Sequence, residues 1–326
     1  MRWDTLTTSS SVMKQAIKRF TPDPLWNAAR AFYDFLTRLP DLGPAYLHPW
    51  RRESMHRLAE LKDIHRGQRG FIIGNGPSLR QTDLTKLRGE YTFGMNRIYI
   101  LFPELGFTTT YFLSINDLVI EQCAGEIMAL PMPKFLTWRS HRFFKSHQPS
   151  AISYQPSAIC QQPSAISHLP TAISHLPSAI RHQPSAISLQ PSAFIPPTFL
   201  YTTYTGPKFA RNAAGRLWEG ATVTYVALQL AFHMGFEQVI LIGVDHSFVS
   251  KGEANKTITS QGDDPNHFAP NYFGKGFRWQ LPDLDTSERA YRMAKKAYEA
   301  DGRQVLDATV GGRLTVFPKV DYASLF

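Results

Sequence analysis

Five consecutive residues carry the first chemical signal in this chain. Gly74-Asn75-Gly76-Pro77-Ser78 follows the apolar run Phe71-Ile72-Ile73. Two glycines allow a tight backbone, proline presets φ, and serine suits the cap of a following helix. Strand, glycine turn and helix start together aim backbone N–H groups at a phosphate. The same residues also suit an ordinary strand-to-helix turn, so positions further along must decide. Polar residues recur where other apolar runs stop: Asn96 after Tyr91–Met95, Asn116-Asp117 after Thr109–Ile115, and Asp245-His246 after Gln238–Gly243. A carboxylate such as Asp117 or Asp245 can ligate Mg²⁺, bind a ribose or cap the next helix. Free histidine titrates near neutrality, so His267 and His246 are candidate general bases for an acceptor hydroxyl. Lys275, Arg278 and Arg211 are candidate cations for phosphate charge, each also an ordinary surface residue.

These residues need elements that bring them to one place. From Gly70 the apolar runs alternate with helical patterns, which predicts a Rossmann-like α/β fold: a mostly parallel sheet with helices on both faces. Ligands of such sheets bind at the carboxyl ends of the strands, where Asn75, Asn96, Asn116, Asp117 and Asp245 all fall. The strands are expected at Phe71–Ile73, Tyr91–Asn96, Thr109–Ile115, Lys134–Trp138, Gln238–Gly243 and Gln304–Asp307. Gly220-Ala-Thr-Val-Thr224 opens a helix that Gly235 closes, and Ser287 to Asp301 forms another. Lys251 to Trp279 reads as one long loop. Its aromatic residues favour a lid over a disordered segment.

Residues 1–68 read as a basic helical extension, with apolar residues at 3–4 spacing over Val12–Phe20, Leu25–Leu39 and Met55–Ile64. Such an extension packs on a partner or makes a peripheral membrane contact through the basic N-terminus. Residues 69–326 read as the α/β domain, interrupted at 147–194. There the chain repeats every seven residues, as in HQPSAIS, YQPSAIC and QQPSAIS. Proline in each heptad excludes a coiled coil. The heptapeptide can be written CATCAGC three times over, so a seven-nucleotide repeat translated in frame accounts for it. The expectation is a disordered low-complexity insert with no chemistry of its own.

Composition sets wider bounds. Apolar residues make up 43% of 326, enough for a packed core. No run of 18 apolar residues occurs and the first residues lack a signal-peptide core, so a soluble cytoplasmic protein is expected. Cys123 and Cys160, in unrelated contexts, fit a reducing compartment. The formal charge of +9 suits an anionic ligand or surface. That charge is spread out with no DNA or RNA module, which argues against nucleic acid.

Several motifs together resemble a known group. FIIGNGPSL, with Asp83 four residues on, is similar to the opening of the 6-hydroxymethylpterin diphosphokinase (MptE-like) domain family. The same opening with Asn96 and Tyr99 in MNRIY resembles bacterial family-42 sialyltransferases. GATVTYVALQLAFHMGFEQVILIGVD resembles both. The likeness covers roughly 70–138 and 201–307 and fails over the N-terminal helices and the repeat. It implies nucleotide contacts at Asn75 and Asn96, with backbone at Gly76 and Ser78, and a phosphate or ribose contact at Thr222. The lid departs from the sialyltransferase pattern, whose general-base histidine sits among tyrosines. Here His267 stands ahead of Asn271-Tyr272-Phe273, so the catalytic set stays open among His267, Tyr272 and His246.

The expectation is a nucleotide-dependent group transferase, with a nucleotide-sugar donor and a small-molecule or glycan acceptor placed first. The alternatives are pyrophosphoryl transfer from ATP to a pterin, with Mg²⁺ on Asp117 and Asp245, and a non-catalytic nucleotide-binding scaffold. The one cofactor named by this reading is Mg²⁺, which belongs to the diphosphokinase case.

Overall fold

The computed structural model describes residues 22–147 and 195–326, apart from Thr205, Pro207 and Lys251. The segments Val12–Phe20 and the heptapeptide repeat beyond His147 lie outside these residues. Two helices come first, α1 (Asp23–Leu47) and α2 (Pro49–Glu60), each with proline in its first turn, where the missing N–H costs nothing.

An eight-stranded sheet follows, built from β1 (Arg69–Ile73), β2 (Tyr91–Met95), β3 (Tyr111–Ser114), β4 (Lys134–Thr137), β5 (Thr198–Thr203), β6 (Arg216–Trp218), β7 (Gln238–Ile242) and β10 (Gln304–Asp307). Its order is β10-β7-β1-β2-β3-β4-β5-β6, and every neighbouring pair is parallel. The chain builds outward from β1 to β6, then crosses back to place β7 on the other side of β1. That reversal puts the switch point of the sheet between β1 and β7, where such folds open a crevice at the carboxyl ends.

Helices cover both faces, as a parallel sheet requires. Alternate strand residues divide between two cores. Ile72, Leu113 and Leu241 pack with α2, with α5 (Val223–His233) and with α6 (Leu284–Glu299). Phe71, Ile73 and Ile240 face α3 (Asp117–Gln122), α4 (Ala124–Ala129) and the lid. Capping fixes the helix starts beside the site. Asn116 Oδ1 accepts from Leu118 N, Thr222 from Thr224 N and Asp283 from Thr286 N. Gly235 ends α5 at φ +90°, the left-handed position expected of it.

Three elements differ from the sequence reading. The glycine turn leads to a 3-10 segment, Pro77–Gln81, and not to an α-helix. The stretch read as one loop contains an antiparallel pair, β8 (Thr257–Thr259) with β9 (Arg278–Gln280). Strand β6 is three residues long, too short to register as an apolar run. No described helix is long and apolar enough to cross a membrane.

Candidate functional site

A cleft of about 850 Å³ opens at the carboxyl ends of strands β1 to β7. Gly74, Asn75, Gly76, Asn96, Asn116 and Asp117 line one side, and Thr222, Asp245, His246 and His267 line the rest. The fold thus gathers most of the residues singled out in the sequence. Pro77, Ser78 and Tyr272 are not among the lining residues.

The glycines serve a different end from the one their spacing suggested. A Cβ on Gly74 would lie 2.2 Å from the Gly243 carbonyl oxygen, and one on Gly76 1.7 Å from Asp245 Oδ2. Both positions let the β1 and β7 turns touch, with Gly74 N donating to Ile242 O and Gly76 N to Gly243 O. Asp245 then takes the donors that were expected to meet phosphate. Its Oδ1 accepts from Ser78 N at 3.1 Å and its Oδ2 from the Ser78 hydroxyl at 2.7 Å. Burial raises the Asp245 pKa, and these bonds oppose the rise. Ser78 is itself buried. Of the predicted phosphate cradle the Ser78 donors are thus taken by a carboxylate, with no α-helix N-terminus behind them, while Gly74, Asn75 and Gly76 still line the cleft.

Asn75 keeps a free function. Its carbonyl accepts from Phe268 N, which pins the lid, while Oδ1 is buried without a hydrogen-bond partner among the described residues. Asn96 adopts φ +53° at the end of β2, and its Oδ1 accepts from the Ser114 hydroxyl at 3.0 Å. The left-handed backbone suits asparagine better than most residues.

Asp117 belongs to a charge network absent from the sequence reading. Arg139, just past β4, donates from Nε to Asp117 at 3.3 Å and from Nη1 to Glu219 at 2.6 Å. Glu219 also accepts from Thr202, which bonds Thr137 at 2.8 Å. Burial disfavours the guanidinium cation, but the charges of Glu219 and Asp117 overcome this and raise the Arg139 pKa. Arg142 approaches the same carboxylate at 3.9 Å and is more exposed. Asp117 Oδ1 is a second buried acceptor without a hydrogen-bond partner among the described residues. The cations read from the sequence lie elsewhere: Arg211 pairs with Asp301, Arg278 with Glu121, and Lys275 is exposed. None lines the cleft. The cleft cations Arg139 and Arg142 follow a strand end, the same rule that picked out the asparagines.

Neither carboxylate fits an Mg²⁺ site. Asp245 is committed to Ser78, and Asp117 faces two arginines that would repel a dication. Among the described residues no three His, Cys, Asp or Glu side chains come together as metal ligands.

The lid supplies the strongest acid–base arrangement. His267 Nδ1 lies 2.7 Å from Asp264 Oδ2, and the ring stacks on Tyr272 at 4.1 Å between centroids. Asp264 also accepts from Asn266 N, so the carboxylate is fixed before it meets the imidazole. With Nδ1–H donating to Asp264, Nε2 is the ring nitrogen left to accept a proton, and His267 lines the cleft. Asp264 was missed in the sequence, although a carboxylate three residues before a histidine in a turn is a usable signal. Tyr272 stands behind His267. It is fully buried, its hydroxyl accepts from Arg97 N, and burial raises its pKa. It stacks on the imidazole and is not among the residues that line the cleft. His246, at φ +53°, lines the cleft 3.9 Å from Glu288. Burial lowers its pKa despite the nearby acidic groups, so it is neutral at neutral pH.

No family model matches the chain, and no curated protein matches it. Its fold is similar to that of the MAf glycosyltransferase from Magnetospirillum magneticum AMB-1, at TM-score 0.39 and 12% identity. The match covers 85% of this chain, which spans 39% of the length of that one.

Proposed function

We propose that the chain transfers a sugar from a nucleotide-activated donor to a hydroxyl acceptor, with His267 as general base. The observation that carries this reading is His267 on the cleft wall, held from behind by buried Asp264. An imidazole held by a carboxylate at Nδ1 presents Nε2 as a proton acceptor. In the proposed step, Nε2 takes the proton from the acceptor hydroxyl as its oxygen bonds the anomeric carbon. The bond from that carbon to the nucleotide phosphate breaks, and the phosphate leaves with the electron pair. Asp264 stabilises the imidazolium that forms, and Arg142 lies near enough to the cleft to meet the leaving charge.

The unpartnered acceptors Asn75 Oδ1 and Asp117 Oδ1 support a ligand rich in hydroxyl or amino donors, as ribose, base and sugar are. The engagement of Asp117 and Asp245 with protein partners does not favour Mg²⁺-dependent pyrophosphoryl transfer.

His267→Asn tests the assignment. Product formation from nucleotide sugars is expected to fall by roughly 10²–10⁴-fold, with nucleotide affinity retained by calorimetry. Full activity in this variant would overturn the role of His267.

A further inference from the structure

The imidazole on the cleft wall belongs to the lid, but the side chain that holds its support comes from the sheet. Asn96, just past β2, turns the chain at φ +53°, and Arg97 follows it toward the lid. Arg97 does not line the cleft, and its side chain is 15% exposed. It grips Tyr272 at two points. Its backbone N–H donates to the Tyr272 hydroxyl at 3.2 Å, while Nη1 donates to the Tyr272 carbonyl and, at 3.4 Å, to that of Asn271. The guanidinium also lies 6.0 Å from the Tyr272 ring centroid and 5.3 Å from that of Phe277, within cation–π range. Arg97 is held in turn: Nη2 lies 3.9 Å from Glu126 of α4, which accepts from the Tyr99 hydroxyl.

Tyr272 carries this hold to the imidazole. Its ring is fully buried, 4.1 Å from His267 between centroids and 10° from parallel. Asp264 fixes one edge of the imidazole at Nδ1, which alone leaves the ring free to rock about that bond. A fixed plane against its face removes that freedom. We infer that Arg97 is a positioning residue for His267 and acts through Tyr272, setting the plane of the imidazole and so the direction in which Nε2 meets the acceptor hydroxyl. The catalytic consequence rests on the transferase reading; the support of the ring rests on the geometry alone. Arginine suits the task because its planar fork reaches two successive carbonyls and stacks on rings, which a lysine ammonium does not match.

Arg97→Met and Arg97→Lys test the inference by two readouts. Arg97→Met is expected to lower kcat by roughly tenfold to 10²-fold, the cost of a misplaced catalytic group. KM for the nucleotide sugar and calorimetric affinity for CMP, UDP or GDP should not change. Arg97→Lys should recover part of the loss. In a His267→Asn background Arg97→Met should cost nothing further, as residues acting as a unit do. The second readout is the ring C–H NMR signals of His267, assigned by their absence in His267→Asn. The stacked Tyr272 ring shifts them upfield in wild type, and both variants should move them toward an unstacked imidazole, Arg97→Lys less far. If Arg97→Met does not fold, Arg97→Lys carries both readouts. Signals that stay in place, or a loss of kcat that adds to that of His267→Asn, would overturn the inference. A lowered melting temperature with unmoved signals would do so too, since Arg97 would then anchor the lid without directing the ring. Full activity in His267→Asn would strike the general-base reading, while the ring signals would still decide what holds the imidazole.

Discussion

Buried imidazoles give this chain a pH dependence that can be signed from the structure. His65 is held between Gln68 and the Tyr111 hydroxyl, and His233 Nε2 meets the Leu58 carbonyl at 2.6 Å. Burial lowers the pKa of both, and of His246, below the ordinary 6.5. In the window below 6.5 the unfolded chain binds protons that the native chain refuses, so stability rises with pH there. The stability is fully present above 6.5 and is lost as pH falls toward the native pKa values. Asp245 runs the other way: its raised pKa contributes stability that fades as pH rises above the ordinary carboxylate range. Thermal melts between pH about 7 and about 5.5 should therefore show a falling Tm. A Tm that is flat or rises on acidification would contradict the assignment of neutral imidazoles at buried His65 and His233 and half-buried His246. At this scale the sequence was only partly legible. Histidine and strand-end asparagine were visible as types, but whether Ser78 meets a ligand or Asp245 depends on a contact 167 positions apart.

At the scale of elements, the pairing of β1 with β7 organises the site. Strand register sets Ile73 beside Ile242, and the two turns that follow meet backbone to backbone. Gly74→Ala should destabilise the fold by about 3 kcal/mol, the range of severe core and backbone clashes. The reason is that the Cβ would strike the Gly243 carbonyl, which cannot rotate away. Denaturant melts measure this; a loss under about 1 kcal/mol would mean that the turns separate easily. The GxG spacing was visible in the sequence, but its reason was not. The motif signals close backbone approach, and here the approaching group is another turn of the same sheet. Long apolar runs such as Gln238–Ile242 were legible because parallel strands are buried on both faces. Three-residue strands such as β6 and the β8–β9 pair carry too few residues to show a period.

Across the described residues an eight-stranded parallel sheet carries the proposed site at its carboxyl edge. The heptapeptide repeat enters between β4 and β5, adjacent parallel strands that need a crossover of about a dozen residues. Residues 138–147 and 195–197 already provide that length. Deletion of 148–194 should therefore leave the Tm within about 2 °C, a shift below 1 kcal/mol for a domain of this size. Loss of folding would show that the repeat is part of the domain. The order of the sheet, with its reversal at β1, was not legible from the sequence, since period and composition do not state which strands are neighbours. The place of the cleft was legible, because it follows from parallel strands alone. The central claim is that this edge binds a nucleotide without Mg²⁺. A thermal-shift panel of CMP, CDP, UDP, GDP, ATP and 7,8-dihydropterin, with and without Mg²⁺, on wild type and Asn75→Ala, tests it most directly. Stabilisation by a nucleotide, independent of Mg²⁺ and lost in Asn75→Ala, is the expected result. A response that needs ATP, dihydropterin and Mg²⁺ together, or silence across the panel, would contradict it.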